Sequence, residues 1–140
     1  MKGEGAMTTP EANKPRILVV EDEEAMALLI QDVLEEEGYQ VELVYDGDEA
    51  IRFVQENPPD LVVLDINMPG RDGVETLNRI VELRGSIPVI LHTAYSAYKD
   101  NFMTWSAAEY VVKSSDFENL KQAIRQHLGR SQQSQVDHHG

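Results

Sequence analysis

The residues of this chain that could do chemistry stand at the ends of apolar runs. Glu21 and Asp22 follow ILVV, Asp65 follows LVVL, Thr93 follows VILH and Lys113 follows YVV. Taken singly, each has a plain reading: an acidic first helical turn, a loop cap, a strand threonine, a surface lysine. Their recurrence at successive strand ends changes the odds. In a parallel sheet the carboxyl ends of the strands share one edge, so residues remote in sequence converge on one crevice. Three carboxylates crowded there repel one another unless a cation neutralises them. Magnesium takes oxygen ligands in octahedral geometry and keeps waters. The expected site therefore holds Mg2+ directly through Asp22 and Asp65, through the backbone carbonyl of Asn67, and through Glu21 by way of water. Lys113 and Thr93 add an ammonium and a hydroxyl at the same edge. A cation, an ammonium and a hydroxyl around a carboxylate suit the three oxygens of a phosphoryl group in transfer. Asp65 is then the nucleophile and forms an acyl phosphate. It needs no separate base, because an ionised carboxylate already carries the attacking electron pair.

The elements that must position these groups follow in order along the chain. Residues 1–14 are polar and aperiodic and are expected to be a flexible lead-in. A strand over Arg16 to Val20 precedes a helix with Met26, Leu29, Ile30, Val33 and Leu34 on one face, capped by Asp22 and ended by Gly38. Val41 to Val44 makes a second strand. Asp46-Gly47-Asp48 opens a second helix with Ala50, Ile51, Phe53 and Val54 inward, closed by Asn57-Pro58-Pro59. The third strand, Leu61 to Leu64, lacks polar alternation and so is covered on both faces. Met68-Pro69-Gly70 stops it, and a third helix from about Gly73 places Val74, Leu77, Ile80 and Val81 at helical spacing, ending near Gly85. Val89 to His92 is a fourth strand, Ala94 to Ser106 a short, weakly amphipathic fourth helix, and Tyr110 to Val112 a fifth strand. Ser115 to Glu118 fits a capping box before a fifth helix with Leu120, Ala123, Ile124 and Leu128 inward. Residues 129–140 are expected to be disordered. His92 reads as packing, and His127, His138 and His139 as solvent-facing. Alternating strands and helices over residues 15–128 imply one α/β domain: a doubly wound parallel sheet with helices on both faces, a three-layer sandwich.

Composition narrows the partners. The chain has 140 residues and a formal charge of −13, from 25 acidic and 12 basic side chains. Such a balance argues against nucleic acid, which is bound through clustered Lys and Arg. Cysteine is absent, which excludes thiol catalysis, disulfides and Cys-ligated zinc. No stretch has the length of a membrane span or the h-region of a signal peptide, so a cytoplasmic location without membrane contact is expected. A haloacid-dehalogenase-type phosphatase would place a second Asp two positions beyond the nucleophile. Asn67 stands there and cannot serve as a general acid. A dinucleotide-binding protein would carry GxGxxG after the first strand, where this chain has acids.

Together, Glu21-Asp22, LDINMPGRDG around Asp65, Thr93-Ala94 and EYVVK ending at Lys113 resemble the receiver domain of two-component response regulators, CheY-like, over about residues 15–128. The resemblance implies a flavodoxin-like strand order 2-1-3-4-5. It implies Mg2+-dependent phosphoryl transfer to Asp65 from a histidine kinase or histidine phosphotransfer protein. It also implies a switch in which Thr93 moves toward the phosphoryl group and Tyr110 turns inward. The face made by the fourth helix, the fifth strand and the fifth helix then changes its preference for a downstream effector protein or domain. Such a domain is not an enzyme in the ordinary sense, since it acts only on its own phosphorylation state, and it is expected as a monomer or weak homodimer. Two departures stand out: Ser114 follows Lys113 where the family usually has proline, and Trp105 precedes Ser106-Ala107-Ala108-Glu109 where a glycine-led turn is common. Tyr95, two residues past Thr93, is expected to flank an attacking water and slow acyl phosphate hydrolysis. The alternative reading is a degenerate receiver, an interaction module that works without phosphorylation.

Overall fold

The structure, a computed structural model, describes residues 14–66, 73–94 and 106–137, with side chains as far as Gly129. The described residues form five strands: β1 (Arg16–Val20), β2 (Gln40–Val44), β3 (Leu61–Leu64), β4 (Val89–Thr93) and β5 (Glu109–Val112). The helices are α1 (Glu24–Glu36), α2 (Gly47–Glu56), α3 (Gly73–Leu83) and α4 (Glu118–Asp137). All strand pairs are parallel and the order is β2-β1-β3-β4-β5. This is the doubly wound sheet the sequence implies.

Alternation along the strands builds two cores. Leu18, Val20, Val62, Leu64 and Leu91 face α2 and α3, where Ala50, Val54, Leu77 and Ile80 meet them. Ile17, Val19, Val63 and Ile90 face the opposite way, against Ile30 and Leu34 of α1 and Leu120 and Ile124 of α4. Every residue of β3 is buried, at 1% exposure or less, because helices cover both sides of a central parallel strand.

Local chemistry sets the ends of the helices. The Asp46 side chain accepts the Glu49 amide at 2.8 Å while Glu49 accepts the Tyr45 amide at 2.9 Å, a reciprocal cap on α2. Gly38, at φ +99°, takes the left-handed turn that ends α1. Gly73 has a different role. A Cβ there would run into the backbone of Ile66, so only glycine lets α3 begin against the residue that follows Asp65.

Several expectations are corrected. The N-cap of α1 is Glu23 rather than Asp22, and the Glu23 side chain makes no capping hydrogen bond. Leu29 is 46% exposed, since the buried stripe of α1 runs through Ala27, Ile30 and Leu34 and leaves Leu28 and Leu29 on its flank. At α4 the Glu118 amide donates to Asp116 Oδ1 at 3.1 Å, so Asp116 does the work assigned to Ser115. His127 is not solvent-facing: its side chain is only 10% exposed and its Nε2 lies 2.9 Å from Glu109 Oε1, across to the start of β5. Helix α4 continues past Leu128 to Asp137, where an unstructured tail was expected. Residues 130–137 contain no proline, and Gly129 does not take a positive φ, so nothing local interrupts the helix. The expected lead-in up to Asn13, residues 95–105 of the fourth helix expected over Ala94 to Ser106, and the last residues, 138–140, lie outside the described residues.

Candidate functional site

The site is fixed first by the backbone. Register pairs Val20 with Leu64 and Thr93 with Val112, and the hydrogen-bond ladder runs one rung past the strands. Asp65 N donates to Val20 O at 3.0 Å, Glu21 N to Val44 O at 3.1 Å, and Lys113 N to Thr93 O at 2.7 Å. The first residue beyond β1, β3 and β5 is therefore held as firmly as the strands themselves.

The side chains then meet. Lys113 Nζ lies 2.8 Å from Glu21 Oε1 and 3.2 Å from Asp65 Oδ2. Side-chain exposure is 3% for Glu21, 7% for Asp65 and 17% for Lys113, so water screens these charges weakly. Glu21 Oε2 also accepts the Glu23 amide at 3.3 Å. Asp22 is exposed, yet one oxygen from each of Glu21, Asp22 and Asp65 lies within 4.8 Å of the others. All donors in this cluster are carboxylate oxygens, the hard ligands that Mg2+ takes, so the residues fit that ion. Thr93 is fully buried, and Tyr110 is half-buried against the core beneath α2 and α3. Glu21, Asp22, Asp65 and Lys113 are thus brought together, with Thr93 on the neighbouring strand. Asn67, Met68, Tyr95 and Trp105 lie outside the described residues. No cis peptide occurs among the described residues, and Ser114 after Lys113 does not keep the ammonium from Asp65.

Burial, opposed by the Lys113 bond and reinforced by the charge of Asp65, holds the Glu21 carboxyl above the usual glutamate range. For Lys113, burial pulls downward, but the Glu21 bond and the charges of Asp65 and Glu21 outweigh it and raise the ammonium above the usual lysine range. His92 is 2% exposed, its Nδ1 has no hydrogen-bond partner among the described residues, and its ring lies 6.3 Å from that of Phe117. Burial first, then the charge of Lys113, against the pull of Asp65, lowers it from 6.5 to about 4. Sequence reasoning treated His92 as packing alone. The signal lay in the register, since Leu64 pairs with Leu91 and the next step along places Asp65 beside His92.

Residues 17–125 match the response regulator receiver domain family. The chain belongs to that family. A receiver of this kind is the signalling domain of a two-component system. The transcriptional regulatory protein DltR of Streptococcus agalactiae is 38% identical over 112 residues, 79% of this chain and 50% of its own length. The chain thus spans about half the length of that curated relative. Among solved structures, the response regulator TrrA of Thermotoga maritima in complex with Mg2+-BeF is 41% identical, with TM-score 0.79, over 81% of this chain and 98% of that one. A structure of TrrA with the histidine kinase ThkA matches at 41% identity and TM-score 0.77, over 81% of this chain and 98% of that one. Among the described residues no helix is long and apolar enough to cross a membrane.

Proposed function

We propose that this receiver, folded over about residues 15–128, accepts a phosphoryl group on Asp65 from a histidine kinase or histidine phosphotransfer protein. An Asp65 carboxylate oxygen attacks phosphorus, the P–N bond of the donor phosphohistidine breaks, and its electron pair remains on the imidazole nitrogen, which takes a proton. The product is an acyl phosphate. The observation that carries this reading is Lys113 Nζ at 3.2 Å from Asp65 Oδ2, in a pocket shared with Glu21 and Asp22. The ammonium offsets charge on the acceptor and orients it. Asp22 and Asp65 would hold Mg2+ directly, with Asn67 through its carbonyl and Glu21 through water. When bound, the ion supplies charge neutralisation for the phosphoryl oxygens. The structure of TrrA with Mg2+-BeF supports that assignment by similarity, and its complex with ThkA supports a kinase as donor.

Thr93 and Tyr110 are proposed to carry the change outward, Thr93 toward the phosphoryl group and Tyr110 into the core, so that the face including β5 and α4 alters its affinity for an effector protein or domain. We place the domain in the cytoplasm, as a monomer or weak homodimer. Intact-mass measurement with a small phosphodonor and Mg2+ tests the reading. A gain of one phosphoryl group in the parent and none in Asp65→Asn is expected. No gain in the parent would favour the phosphorylation-independent interaction module instead.

A further inference from the structure

Among the described residues β2 pairs only with β1, so its far side is an edge of the sheet. The ladder fixes which backbone groups face that edge. Gln40 N donates to Pro15 O at 2.9 Å and Glu21 N to Val44 O at 3.1 Å. Gln40, Glu42 and Val44 therefore turn their backbone groups toward β1, and Val41, Leu43 and Tyr45 turn theirs outward. An outward row of this kind is a template for another strand. Here side chains take both ends of the row. Gln31 Nε2, from α1, donates to Val41 O at 3.5 Å, and Tyr45 N donates to Glu49 Oε1, from α2, at 2.9 Å. Leu43, between them, has no such cover among the described residues.

The covered atoms are complementary. Were a second copy to lay its β2 antiparallel on this one, about a two-fold axis at Leu43, Leu43 would face Leu43 and Val41 would face Tyr45 of the copy, each as a hydrogen-bonded pair. The Tyr45 amide of one copy would then donate to Val41 O of the other, and those are the atoms that Glu49 and Gln31 occupy. Apolar surface stands beside this edge. Leu43 is half-buried on the side of the sheet that α1 covers. Leu28, three residues before Gln31 and so on the same face of α1, is 48% exposed. A bare edge would gain both backbone bonds and leucine burial from such pairing. We propose that Gln31 and Glu49 guard the edge: by holding Val41 O and Tyr45 N they keep β2 closed to the β2 of a second copy. The guarded strand lies at the opposite edge of the sheet from β5, and the inference does not rest on the function proposed above.

Sedimentation velocity and amide hydrogen exchange by NMR test this on the parent, Gln31→Ala, Glu49→Ala and the two combined. Salt at about 0.15 M screens repulsion between the acidic copies beyond about 8 Å. In the parent the Leu43 amide is expected to exchange freely at every protein concentration, and the Tyr45 amide more slowly. In dilute Glu49→Ala the Tyr45 amide should exchange about tenfold faster, through loss of one charge-assisted hydrogen bond. The combined variant should self-associate about tenfold more tightly than the parent, and its Leu43 amide should slow as concentration rises. Glu49→Gln, which keeps an acceptor oxygen, should behave as the parent does. Should Glu49→Ala fail to fold for want of its cap on α2, Gln31→Ala carries the test, since alanine suits a helix; association about threefold tighter is expected from its longer bond. A variant no more associated than the parent, a dimer whose Leu43 amide stays fast, or a parent already protected at Leu43 overturns the proposal.

Discussion

His92 gives the most direct test of the electrostatics around this site. It is 2% exposed, its Nδ1 lacks a partner among the described residues, and burial lowers its pKa from 6.5 to about 4. At neutral pH both the folded and the unfolded chain hold it uncharged. As pH falls below 6.5 the unfolded chain takes up the proton first, so stability drops, and the drop levels off below about 4. Each tenfold difference in proton affinity is worth about 1.4 kcal/mol, so the full effect approaches ~3 kcal/mol. The Glu21 carboxyl opposes it: its raised folded value means that acid relieves a cost of burial. Comparing the parent with His92→Leu, of similar volume, separates the two, because Glu21 is present in both. Urea unfolding followed by circular dichroism at pH 7.5 and 4.5, with chelator present, should show the parent losing about 2 to 3 kcal/mol more than the variant. Equal losses in both proteins would refute the claim that a neutral, buried imidazole sits beside Lys113.

Other measurements probe the frame. Gly73→Ala should destabilise by about 1 to 3 kcal/mol, the scale of forced overpacking, since its methyl group meets the Ile66 backbone. Gly129→Ala, with nothing within 4 Å, should instead stabilise by roughly 0.5 to 1 kcal/mol; similar urea midpoints for the two would contradict this. Asp46→Ala should cost about 1 kcal/mol through loss of its cap, seen as a lower midpoint with an unchanged slope. Millimolar Mg2+ should raise the melting temperature, by mass action on the folded state, and Asp22→Ala should abolish the rise; a parent indifferent to Mg2+ would count against the cation site.

The sequence by itself determined the strands and which of their ends carry the acids and the lysine of the candidate site. A four-residue apolar run such as LVVL, bounded by Pro58-Pro59 and Met68-Pro69-Gly70, is too short for a buried helix and reads as a strand covered on both faces, and parallel connection then brings such strand ends to one edge. Asp65 and Lys113 were legible for that reason, as was the cap at Asp46. Periodicity was weaker on α1, where Leu28, Leu29 and Ile30 are adjacent and only packing selects Ile30 for the core. The tertiary structure alone decided how the charges pair. Sequence order does not say that the ammonium after β5 lies 2.8 Å from Glu21 and 3.2 Å from Asp65, because those distances are set by strand order and register. His92 beside the acids and His127 on Glu109 belong to the same class: contacts between elements, set by register and burial, which no local pattern records.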